Sequence, residues 1–162
     1  MMKVLFTLLF SLALTACAQK ITAPTSGPVA NLSVSVVNFN EKQSILNNEY
    51  VVFKINKKDE SWGGDHAIKA EEPNQAFVIP ANTELDYVIG VHQGGAGFTS
   101  NCGLLLDMVA PENKNLHLKF SLQRPVDDKK ISGCIAELYA DGELIGQYSG
   151  GANITIYTVV FE

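Results

Sequence analysis

The 162-residue chain is short of several things, and each shortage excludes something. It has only three cysteines, so one internal disulfide is the most it can form and one thiol is left over. It has no basic run, and its 12 basic against 17 acidic side chains give a formal charge of −5. That balance lacks the electrostatic footprint of a nucleic-acid binder. It also gives no charge-driven hold on anionic lipid. The three histidines, His66, His92 and His117, are too far apart to form a zinc motif by spacing. No serine stands in a G-x-S-x-G elbow. Helical periodicity, internal repeats and low-complexity blocks are also missing.

What is present begins with residues 1–17. Lys3 supplies one positive charge, and Val4 to Leu14 form an apolar run broken only by Thr7 and Ser11. Such a run is too short for a span of ~20 residues and reads as a signal peptide. Leu14-Thr15-Ala16-Cys17 follows. This tetrad resembles the lipobox of bacterial lipoprotein precursors, with a branched apolar residue three before a cysteine and small residues between. The resemblance implies that the Cys17 sulfur takes a diacylglycerol thioether, that cleavage removes residues 1–16, and that the new amine is acylated. Several acyl chains would then hold the chain on a membrane, each buried methylene contributing about 0.8 kcal/mol. Ala18, rather than Asp, follows the cysteine. Within that class this implies the outer membrane of the cell envelope, on its periplasmic or surface side. The competing reading is an ordinary secretory signal cut at Ala16-Cys17-Ala18, with Cys17 then serving no purpose.

Export places Cys102 and Cys134 in an oxidising compartment, where pairing is the default. The bond would close a loop of about 33 residues, a contribution of roughly 3–4 kcal/mol from loop-closure entropy. Residues 17–30, with two prolines, a glycine and several hydroxyl side chains after Cys17, read as a lipidated cysteine and a flexible tether. Such a tether spans on the order of 20 Å. Residues 31–162 are then a single domain.

In that domain the period is two. Leu85, Tyr87, Ile89 and Val91 alternate with polar or small residues, as do Leu116, Leu118, Phe120 and Leu122. Leu32, Val34 and Val36 alternate too, and a phase slip to Val37 and Phe39 suggests a bulge. Val51 to Ile55, Ala76 to Ile79, Leu104 to Val109 and Cys134 to Tyr139 are further strands. Asp141-Gly142 is a hairpin turn signal, and Ile154 to Phe161 reads as a central strand. The expected fold is all-β: an antiparallel β-sandwich of about eight or nine strands, with a small closed barrel as the alternative.

Two stretches attract functional readings. "KKDESWGGDHAIK", residues 57–69, reads as a polar loop presenting the only tryptophan, Trp62, beside Asp65 and His66. A loop Trp anchors partners or stacks on sugars, or it folds over the end of a sandwich. "HQGGAGFTSNC", residues 92–102, reads as a glycine-rich loop with His92 and Phe98, either a binding loop or a long connection pinned by Cys102. It has neither the lysine nor the helix of a phosphate loop. His117, on the polar face of a strand, reads as solvated. No cofactor, metal site or catalytic set is indicated. The expectation is a non-enzymatic binding module whose partner is an envelope protein or a carbohydrate. The alternatives are a structural subunit of an envelope assembly, and a hydrolase or metal enzyme using Asp65, His66 and His92.

Overall fold

The computed structural model describes residues 20–40, 47–95, 97–125 and 130–156. The expected signal peptide, Cys17 and the terminal run 157–162 lie outside the described residues. Among those described there is no helix, and ten strands form two five-stranded sheets rather than a closed barrel.

The first sheet has β4 (Asn74–Pro80), β1 (Val29–Val37), β7 (Asn115–Gln123), β8 (Gly133–Ala140) and β9 (Glu143–Gly151), in that spatial order. The second has β10 (Asn153–Ile156), β6 (Phe98–Val109), β5 (Glu84–Gly95), β2 (Asn47–Lys57) and β3 (Gly63–Ile68). Each ladder is antiparallel except β1 with β7, which is parallel. The alternating residues meet in one core between the sheets. Leu32, Leu118 and Phe120 come from the first sheet, and Phe53, Ile55, Leu85 and Ile89 from the second. Each such side chain contributes about 1.5–3 kcal/mol by leaving water. Cys102 on β6 is bonded to Cys134 on β8, so the disulfide crosses from one sheet to the other.

Several local expectations need correction. Residues 63–68 are not loop but strand: β3 pairs with β2, and Ile68 is fully buried. The missed signal was weak because only Ile68 of the six side chains is a large apolar one. The glycine-rich stretch is likewise a hairpin, with β5 running to Gly95 and β6 starting at Phe98. Gly95 serves packing there, since a Cβ on it would sit 2.0 Å from the Phe98 ring. The phase slip after Val36 is the end of β1, where Asn38 turns at φ 65°, and not a bulge. The described part of the last strand, β10, lies at a sheet edge, pairing with β6. Finally, the chain joins the domain before Asn31. Ile21 is buried in the core, and Lys20 bridges to Asp65. The Asp141-Gly142 turn is as expected, both residues having positive φ (48° and 88°), as a two-residue hairpin loop requires.

Candidate functional site

The register of the second sheet decides what the expected site residues can do together. His66 lies opposite Phe53, whose side chain is fully buried, so it takes the inner phase of β3. Its ring meets Phe77 of the facing sheet edge-on, centroids 5.6 Å apart. Asp65, one residue earlier, lies opposite Lys54 on the outer face. His92 lies opposite Tyr50, also outside, with ring centroids 5.3 Å apart, and Nδ1 is hydrogen-bonded to Asn101 Oδ1. Tyr50 and Lys54 are a full four residues apart on β2, so His92 and Asp65 are separated along the sheet. His66 is on its other side. The three do not form a cluster, and no metal-holding group of His, Cys, Asp or Glu exists among the described residues.

Trp62 and Phe98 have packing partners. Trp62 is half-buried against the core, and its indole N–H donates to the Thr22 carbonyl at 3.0 Å. It therefore holds the N-terminal segment against the end of the sandwich. The Phe98 ring covers Gly95 and carries the Lys130 ammonium 5.2 Å from its centroid.

Two constellations were missed in sequence. One is buried. Glu49 and Gln93 stand on the inner phase of β2 and β5, in step with Val51 and Val91. Arg124 Nη2 donates to both Glu49 carboxylate oxygens at 2.7 and 2.6 Å, and Gln93 Nε2 donates to Oε2 at 3.3 Å. The Ile131 N–H donates to Gln93 Oε1 at 3.0 Å, and Ser100 Oγ donates to the Ile131 carbonyl at 2.8 Å. This chain of bonds ties the second sheet to the segments flanking β7 and β8. A polar residue falling in an apolar phase was the available signal.

The other lies on the outer face of the first sheet. There Asn115, His117, Lys119, Tyr139, Asp141 and Gly142 line a hollow of about 660 Å³. His117 on β7 and Tyr139 on β8 are directly opposed, ring centroids 6.0 Å apart and tilted by 43°. Ser35 Oγ on β1 lies 2.7 Å from His117 Nε2 and helps fix that ring. Lys119 Nζ donates to Glu137 Oε2 at 2.8 Å, and Lys114 pairs with Asp141. These bonds hold both ammonium groups above the usual lysine range and the Asp141 carboxyl below its own. Alternation put these side chains outside, but only the register brings the two rings side by side.

The molecule is thus an all-β sandwich with an aromatic, polar hollow on one outer face. Comparison with known protein families, with characterised proteins and with solved structures finds no match to this chain.

Proposed function

We propose that the chain is a lipid-anchored, non-enzymatic binding module of a bacterial cell envelope, held at the outer membrane through Cys17 and engaging an envelope carbohydrate or protein. The observation that carries the reading is the bond between Cys102 and Cys134, which leaves Cys17, in its lipobox-like setting, as the one cysteine outside that bond. The hollow on the first sheet supports binding. Rings flanked by polar side chains are the surface that ligand sites offer. A reaction using Asp65, His66 and His92 has no support, because the register splits them between faces.

Mass spectrometry of the mature N-terminal peptide tests the anchor. The expected result is Cys17 carrying diacylglycerol and an acylated amine. A mature chain that starts unacylated beyond Cys17 would refute it. The structural-subunit alternative expects exposed strand edges as the contact, and Val52, Val88 and Leu105, exposed on the outer face of the second sheet, add apolar area to it. It predicts one dominant crosslinked neighbour through that face.

A further inference from the structure

We propose that the hollow over β7 and β8 binds an uncharged oligosaccharide, with His117 and Tyr139 as the stacking platform. The inference names the carbohydrate arm of the binding-module reading and rests on it.

Three features of the face select this ligand. The first is shape. The two rings stand on neighbouring interior strands of the sheet, and Leu144, paired with Tyr139 and 49% exposed, extends the apolar strip toward β9. Aromatic side chains held on a sheet offer apolar area at small ordering cost, and the C–H face of a pyranose can pack on it. The second is polarity. Asn115, Lys119 and Asp141 stand around the rings. An amide, an ammonium and a carboxylate together offer donors and acceptors to vicinal hydroxyls.

The third is charge, and it decides between ligand classes. Lys119 is committed to Glu137, and Lys114 to Asp141. The hollow therefore carries opposite charges in compensated pairs, not a field of one sign. A phosphate or uronate meets no net positive charge here, so little repays the water it gives up. A basic peptide likewise meets no net negative charge. A neutral polyol needs neither, because it can use the spare lone pairs and N–H groups that a paired carboxylate and a paired ammonium keep. The pairs also orient those groups before any ligand arrives.

The test uses the full mature chain in detergent, probed with four-unit cello-, chito- and manno-oligosaccharides and with oligogalacturonate as the acidic control. Binding is read by isothermal titration. At least one neutral tetramer should bind, and His117→Ala and Tyr139→Ala should each weaken it about tenfold or more. His92→Ala, on the opposite outer face, should leave the affinity unchanged. Tyr139→Phe should retain most of the binding, which separates loss of the platform from misfolding. The proposal is overturned if no neutral tetramer binds, if oligogalacturonate binds more tightly, or if neither alanine variant changes the affinity. Acylation of Cys17 and crosslinking to an envelope neighbour are read separately. Positive results there with no glycan binding would remove this ligand and leave the binding module standing.

Discussion

The two sheets turn similar apolar faces inward, and their outer faces differ at two places. On the first sheet, His117 and Tyr139 stand side by side and each lysine near them has a carboxylate partner. On the second, Val88 faces Leu105 across β5 and β6 with both exposed, and Asp86 faces Asp107 two residues away. Inner faces must satisfy one common core, so they converge on the same residue types. Outer faces are free of that demand, and their cross-strand pairs take whatever role the surface has. Opposite charges placed across a ladder organise a polar surface. Like charges placed across one weaken it.

The sharpest way to break the comparison is to cut what joins the sheets. Glu49 has a fully buried side chain, and Arg124 is its charged partner. Arg124→Ala should destabilise the domain by about 3 kcal/mol, because the buried carboxylate loses the guanidinium bonded to both of its oxygens. Urea unfolding measures this, and a loss under about 1 kcal/mol would mean that the network is dispensable. Replacing both residues by apolar ones should recover much of the loss.

A smaller effect of opposite sign is expected within the second sheet. Tyr87 is 2% exposed, and its hydroxyl has no hydrogen-bond partner among the described residues. Burial pushes its phenol well above the usual range. Tyr87→Phe should therefore stabilise by about 1 kcal/mol, by removing a buried group that gains nothing for its lost water. Equal or lower stability in the same urea assay would show that the hydroxyl is satisfied in solution.

The smallest effects sharpen the contrast between the outer faces. Desolvation, then hydrogen bonding to and repulsion by Asp107, raise the Asp86 carboxyl. The folded chain then holds that proton more tightly than the unfolded chain. The contribution to stability falls as pH rises from the usual value of 3.8 through the raised one. Asp141 behaves oppositely. The hydrogen bond from Lys114 lowers it, so its contribution is present above 3.8 and lost as pH falls through the lowered value. Asp86→Asn should raise stability at pH 7 relative to acid, and Asp141→Asn should reduce it. Unfolding curves at acid and neutral pH read both slopes, and slopes of one sign would erase the distinction.

Much of the sandwich was legible along the chain. Leu116 to Leu122 alternates without interruption and is β7, and Leu85 to Val91 is the middle of β5. β3 escaped notice because Gly63-Gly64-Asp65-His66 has the composition of a loop, and its strand state depends on bonds to β2. The hairpin at Gly95 and Phe98 was hidden for a related reason. Glycines there look like freedom, but the Phe98 ring is packed over Gly95, where a Cβ would clash with it. Of the expected site, Trp62, Asp65, His66, His92 and Phe98 were located along the chain but not in space, and the hollow around His117 had no local sign at all.

For β7 and the middle of β5, sequence alone determined which residues face inward, because strand side chains alternate by two. It determined the Asp141-Gly142 turn, because few residue pairs accept positive φ twice. It also singled out Cys17 as the cysteine to be explained. Tertiary structure alone decided who meets whom. Ladder registers bring His117 to Tyr139 and part His66 from His92, and the packing of one sheet on the other brings Arg124 to Glu49. A residue's face follows from its own phase, whereas its partner follows from how every strand of the sheet aligns.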